Sequence, residues 1–221
     1  MWTWTLNWGE ITPHIVVGTC PMKPDDLQRI QSDLQVTAVL SLQHDDCLAY
    51  WGIDYPAMCL VAEQFGLEMR RCPIRDFDVP DMRRKLPQAV SSLAQLLDSG
   101  HRTYVHCTAG LGRAPLVVLA YLILVENNPA ETAIERIRNG RPGAVPAWEA
   151  FTGACRDMEN RCRHEIKQRA YDLFQAGVYG DALADWNRAK SEVLKTALMG
   201  LASGIAAIKR PLESRQHENK P

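Results

Sequence analysis

Cys107 and Arg113 stand six positions apart in the run His106-Cys107-Thr108-Ala109-Gly110-Leu111-Gly112-Arg113, with two glycines between them. That spacing can close a loop around one tetrahedral anion. The run follows a strand-like stretch, Thr103 to His106, and opens the most apolar segment of the chain. Backbone N–H groups from Thr108 to Arg113 and the start of a helix would then both favour negative charge. Gly110 and Gly112 permit backbone angles that other residues resist. The same field stabilises Cys107 as a thiolate, the attacking form. Arg113 can grip two phosphate oxygens in a fork and hold the charge that spreads during in-line transfer. The bland alternative, a structural thiol and a surface arginine, fits the strand, loop and helix context poorly.

Phosphoryl transfer from an alkyl oxygen also needs a proton donor, because an alkoxide leaves poorly near neutral pH. Three carboxylates offer themselves in Arg75-Asp76-Phe77-Asp78-Val79-Pro80-Asp81, after the expected strand Glu68 to Ile74. Spacing alone does not choose among them. Two of the three need only cap the following helix or sit in solvent, which is the expectation for Asp78 and Asp81.

The elements that must position these groups read as an α/β layer structure with a central, largely parallel sheet flanked by helices, plus a C-terminal helical appendage. Strand patterns occur at Ile15 to Val17 before Gly18, Val36 to Leu42, Glu68 to Ile74 and Thr103 to His106. Helices are expected at Pro24 to Asp33, at Arg83 to Asp98 with Leu86, Val90, Leu93 and Leu97 on one face, and at Gly112 to Val125. Pro129 to Asn139 reads as a helix capped by Asn128, and Gly140 to Pro146 as a turn. Residues 147 to about 195 read as one long helix or two, broken at Gly177 and Gly180, and Glu213 to Pro221 as a disordered end.

The chain has 221 residues, 46% of them hydrophobic and 23% charged, so it can bury a core. Up to residue 160 there are 14 basic and 19 acidic side chains, and after it 11 and 7, giving −5 and +4. A body of that sign without a Lys/Arg stripe is not a nucleic-acid reader. The start lacks the basic and apolar regions of a secretory signal, and seven cysteines leave one unpaired in any full disulfide scheme, which points to a reducing, cytoplasmic setting. Cys20, Cys47, Cys59, Cys72, Cys155 and Cys162 show no paired zinc spacing, although one of them can pair reversibly with Cys107 under oxidation. The longest strongly apolar run, Leu116 to Val125, is too short to span a membrane. Gly200 and Gly204 in the apolar stretch Leu198 to Ile208 suggest helix packing, including self-association.

The loop resembles the cysteine-dependent phosphatase signature His-Cys-x-x-Gly-x-x-Arg. That resemblance implies a phosphocysteine intermediate, no metal or cofactor, and the α/β fold of that family. Ala114 departs from the usual Ser or Thr, whose hydroxyl helps the thiolate leave. A narrower resemblance spans roughly residues 4–160. Cys107 to Pro115, Ile74-Arg75-Asp76-Phe77-Asp78, Ile15 to Cys20, Leu40 to Gln43 and Tyr50-Trp51-Gly52-Ile53-Asp54 are similar to the plant starch-excess glucan phosphatases, and more distantly to laforin. Ala114 is usual there. The resemblance implies Asp76 as general acid, Cys107 as nucleophile and Arg113 as phosphate clamp, with Phe77, Trp51 and Trp4 as aromatic rings beside the phosphate site, where a glucose face can stack. Core packing is the alternative for Trp51 and Phe77. The stretches Ile166 to Phe174 and Gly180 to Trp186 resemble a short bacterial helical domain of unknown function, so the chain divides into a catalytic domain at 1–160, a helical appendage at 161–197 and an apolar helix with a polar tail at 198–221.

The substrate expected on this basis is a phosphorylated α-glucan, glycogen rather than a starch granule given the bacterial-looking tail. A dual-specificity phosphatase for phosphoproteins is the alternative, and a non-catalytic phosphate-binding scaffold docking through the C-terminal helices a further one. Phosphoinositides rank lower because Thr108, Ala109, Leu111 and Gly112 put no cation in the loop.

Overall fold

The computed structural model describes residues 3–177 and 181–208, with side chains described up to 201. The sheet is built from β1 (Trp8–Thr12), β2 (Ile15–Gly18), β3 (Ala38–Gln43), β4 (Glu68–Ile74) and β5 (Thr103–His106), in the order β1-β2-β5-β3-β4. All neighbours run parallel except β1, which pairs antiparallel with β2 across the Pro13-His14 turn. The inner strands β2, β5 and β3 are buried on both faces, which is why they read as short, mostly apolar or uncharged runs without in–out alternation. Their registers align Gly18 and Ser41 on either side of His106. The carboxyl ends of three parallel strands therefore open at one level, where ligands bind in open α/β sheets.

Two helical layers cover the sheet. On one face α1 (Pro24–Leu34), α2 (Asp45–Trp51) and α3 (Tyr55–Gln64) bury Leu27, Ile30, Leu48, Met58 and Ala62 against Val16, Val39 and Tyr104. On the other, α4 (Val79–Asp98) and α5 (Arg113–Leu124) bury Leu86, Val90, Leu93 and Leu116 to Leu119 against Val17, Leu40 and Val105. Each such side chain contributes about 2 kcal/mol through its removal from water. Further out on this face come α6 (Ala130–Gly140), α7 (Trp148–Arg161), α8 (Arg163–Gln175) and α9 (Ala182–Ile208).

Several boundaries differ from the sequence reading. The strand expected from Val36 begins at Ala38, and β1 was not anticipated at all. The short helices α2 and α3 were also missed, although His44 Nδ1 accepts from Asp46 N at the start of one and Asp54 Oδ1 from Ala57 N at the start of the other. Helix α4 begins at Val79, four residues before the expected Arg83, because Asp78 caps it. On its apolar face Leu97 is only partly buried, while Leu96 is buried fully. Asn128 does not cap α6. Pro129 holds that place, and the Asn128 amide turns back to donate to Leu122 O at the end of α5.

Among the described residues the C-terminal region holds three helices where one or two were expected. An additional break falls at Cys162, and Gly177, at φ +64, marks the other, while Gly180 lies outside the described residues. Leu173, Leu194 and Leu198 join the core that contains Leu86. Ser191 hydrogen-bonds Asn127 after α5, and Lys190 pairs with Glu159 at 3.2 Å. The expected disorder of Glu213 to Pro221 falls outside the described residues, and no helix among those described is long and apolar enough to cross a membrane.

Candidate active site

Cys107 follows β5 directly and is almost wholly buried at the base of the loop. Four successive carbonyls of the loop accept hydrogen bonds from outside it. Thr108 O accepts from Cys20 N at 3.0 Å, Ala109 O from Arg141 Nη2 at 2.9 Å, Gly110 O from Arg141 Nε at 3.2 Å, and Leu111 O from Val145 N at 2.7 Å. In a trans peptide the next N–H points away from the carbonyl, so these outward carbonyls aim the N–H groups of Ala109, Gly110, Leu111 and Gly112 at the loop's centre. Gly110 sits at φ +68, and a Cβ there would come within 2.2 Å of Gly18 O, so both the turn and the approach to β2 exclude a side chain.

Arg141 was missed by sequence reasoning. Its neighbours Gly140, Pro142 and Gly143 marked only a turn, yet the guanidinium is buried and clasps the loop from behind. Burial works against its charge, lowering its pKa, while Tyr104 and Cys107 partly offset that effect.

His106 is buried beneath the loop, and its Nδ1 meets Cys107 O at 2.9 Å. A carbonyl can only accept, so Nδ1 carries the proton of a neutral ring. Burial, reinforced by the Arg113 charge, depresses its pKa to about 4, against the opposing hydrogen bond to Cys107 O. The unfolded chain binds this proton near pH 6.5 and the folded chain only near 4, so stability is intact above pH 6.5 and is lost as pH falls toward 4. Denaturant unfolding at pH 7 and pH 4 should show a loss of up to about 3 kcal/mol from this group. A His106→Asn variant should lose less over the same window, and an equal loss would assign the acid sensitivity elsewhere.

Arg113 is fully buried and joins three separate segments. Nη1 donates to Ile74 O at 2.9 Å and to Cys47 Sγ at 3.4 Å, while Nη2 donates to Asp76 Oδ2 at 2.6 Å and Thr108 Oγ1 at 3.2 Å. Burial opposes its charge, but the negative partners Cys107 and Asp76 outweigh it and its pKa is raised.

The three candidate acids separate by environment. Asp76 is 38% exposed and faces the loop through Arg113. Asp78 accepts from Asp81 N at 2.8 Å as the cap of α4, as expected. Asp81 corrects the expectation, being neither solvated nor a cap. It is buried, accepts from Arg75 N at 2.8 Å, and pairs with Lys85 at 3.2 Å and with Arg84. Burial resists its charge, but those donors prevail and hold its pKa below the usual carboxylate value. Asp81 thus fixes the chain where it leaves β4 toward Asp76.

A cleft of about 460 Å³ opens in front of the loop, lined by His44, Cys47, Tyr50, Trp51, Asp76 and Thr108 among others. Tyr50, which sequence reasoning passed over, is 80% exposed and stands edge-on to the half-buried Trp51 with ring centroids 5.2 Å apart. Phe77 crowns the acid loop at 93% exposure and φ +55, a backbone region that non-glycine side chains rarely adopt. Trp4 does not line the cleft. Its Nε1 donates to Cys20 O at 3.1 Å, and its ring packs on the core between the sheet and α1–α3. Of the other cysteines, Cys20 and Cys47 are brought to the site. Burial, then the charge on Cys107, pushes the Cys20 thiol up to about 12. Among the described residues no His, Cys, Asp and Glu cluster could hold a metal ion.

Residues 21–161 match the dual specificity phosphatase catalytic domain, and the chain belongs to that family of cysteine-based phosphomonoesterases. Among curated proteins it is 34% identical over 163 residues to the amyloplastic phosphoglucan phosphatase DSP4 of Castanea sativa, covering 73% of this chain and 43% of that one. It is 31% identical over 132 residues to laforin of Mus musculus, covering 53% and 38%. The chain thus spans less than half the length of these relatives. Among solved structures, Tk-PTP in the active form superposes with a TM-score of 0.55 at 25% identity, covering 70% of this chain and 97% of that one.

Proposed function

We propose that this enzyme removes phosphate monoesters from an α-glucan. Cys107 Sγ attacks phosphorus in line, the P–O bond to the sugar breaks, and Asp76 gives its proton to the departing oxygen. Water then attacks the phosphocysteine, Asp76 takes the water's proton, and Cys107 leaves as thiolate with release of inorganic phosphate. The inward N–H groups and Arg113 hold the equatorial oxygens throughout. Arg113 Nη2 and Asp76 Oδ2 are paired at 2.6 Å. An arriving phosphate therefore competes with Asp76 for the guanidinium fork, and its binding releases the carboxyl toward the leaving oxygen.

The observation that carries the sugar reading is Phe77. Leaving that ring in water forgoes about 2 kcal/mol of burial, and its backbone adds about 1–3 kcal/mol of strain. Such a cost beside Asp76 is explained by a ligand that covers the ring, and the C–H face of a glucose unit does so. Tyr50 and Trp51 extend the apolar surface across the cleft. Similarity to the phosphoglucan phosphatase named above supports the same reading. In this reading the appendage at 161–197 braces α4 and so steadies the acid loop at its start.

The test is phosphate release from phosphorylated amylopectin and glycogen, a phosphotyrosine peptide and an aryl phosphate, comparing wild type with Phe77→Ala and Trp51→Ala. Glucan turnover should fall about tenfold in either variant, with aryl phosphate affected much less. Turnover confined to peptide and aryl phosphate would make the enzyme a protein phosphatase.

A further inference from the structure

We propose that a groove between α4 and α7 is a second binding site, taking neutral sugar units of the glucan chain that carries the scissile phosphate. This inference rests on the glucan reading above. The groove has a volume of about 750 Å³, larger than the catalytic cleft. It begins where the cleft ends. Asp76 and Asp78 line the cleft, the next two residues Val79 and Pro80 line the groove, and Phe77 stands exposed on the same loop. Since the proton donor must sit on the leaving-group side, the body of the substrate lies on the Asp76 side of the phosphorus, and a chain continuing along the acid loop reaches this groove at Val79 and Pro80.

The lining suits a neutral polyhydroxyl chain. Arg83 crosses from α4 to α7 and meets Asp157 through two bonds of 2.6 Å. It lies flat because Gly153 has no side chain, and a Cβ there would come within 2.7 Å of Arg83 Cδ. Arg84 is paired with Asp81. Each of these two guanidiniums already has a carboxylate partner, and their unused N–H edges and the oxygen lone pairs match vicinal hydroxyls. Asn160 and Arg161 on one wall, with Glu149 along the same helix, extend the polar edges. Pro80, Pro87 and Ala154 supply an apolar floor for sugar C–H faces.

The experiment uses the full chain and the double variant Asn160→Ala/Arg161→Ala, both positions being exposed. Binding of unphosphorylated maltohexaose, followed by NMR titration, should weaken about tenfold in the variant. The ratio of kcat/KM on phosphorylated amylopectin to that on an aryl phosphate should fall about tenfold, carried by KM. Maltohexaose binding that is absent from the wild type or unchanged in the variant, with amylopectin still turned over, would overturn the groove and leave the glucan reading standing. A wild type without amylopectin turnover would overturn that reading, yet maltohexaose binding lost in the variant would still support the groove. A variant that raises KM only for a phosphopeptide would assign the groove to protein substrates and overturn the proposal.

Discussion

Replacing Cys107 by serine is expected to lower kcat by about 10⁵-fold on every phosphate monoester while leaving binding nearly intact. A serine hydroxyl does not ionise under conditions in which a thiol does, so the loop's field, built to hold an anionic sulfur, has no nucleophile to present. The phosphate grip is untouched, because it comes from N–H groups fixed by Arg141, Cys20 and Val145 behind the loop and from Arg113. The variant should therefore retain a phosphorylated oligosaccharide with a dissociation constant within a few-fold of the wild-type KM, measurable by calorimetry because turnover has stopped. Quenched-flow of the wild type should show a burst of the leaving group equal to the enzyme concentration if dephosphorylation of the phosphocysteine limits turnover, a step in which Ala114 offers no hydroxyl to help. Residual activity of Cys107→Ser above about one part in a thousand would displace Cys107 as the nucleophile.

What could be read from the sequence follows the locality of the physics. The anion loop was legible because its chemistry lies in eight consecutive residues between a strand and an apolar helix. The inner strands were legible because burial on both faces leaves runs without charged residues around Ile15 to Val17, Val39 to Leu42 and Tyr104 to Val105. Strand β1 was not, since it is an edge strand whose residues are mostly half-exposed and which includes Gly9. Helix α2 has seven residues and a histidine at its cap, too short for periodicity and lacking a usual capping residue. The break at Cys162 is flanked by Arg161 and Arg163, with neither glycine nor proline to announce it. The supports of the site were hidden for another reason. Arg141 reaches the loop from more than thirty residues downstream, and Asp81 holds the exit of β4 from inside a helix, so both contacts exist only once the fold has formed. Phe77 and Trp51 could be named in advance only through resemblance. Tyr50 stands in the same resembling stretch without an assigned role, and its place at the cleft needed the structure.

Replacing Asp76 by asparagine is expected to separate substrates by the quality of their leaving groups. A sugar alkoxide needs a proton as the P–O bond breaks, so kcat on a phosphoglucan should fall about 10³-fold, whereas a nitrophenolate leaves without help and its turnover should fall only about tenfold. The same change removes the carboxylate that competes for the guanidinium of Arg113. Inhibition by inorganic phosphate should therefore tighten several-fold in the variant, an effect no role confined to proton donation would produce. The neighbouring acids supply the contrast. Asp78→Ala removes the cap of α4 and should cost about 1 kcal/mol of stability with little change in leaving-group dependence. Asp81→Ala removes a buried carboxylate and its bond to Arg75 N from the strand exit and should cost about 2 kcal/mol, loosening the acid loop so that kcat falls for good and poor leaving groups alike. A steep dependence on leaving group in Asp81→Ala, with a flat one in Asp76→Asn, would reverse the two roles, because only the residue that delivers the proton can make the rate so sensitive to how well the departing oxygen bears charge.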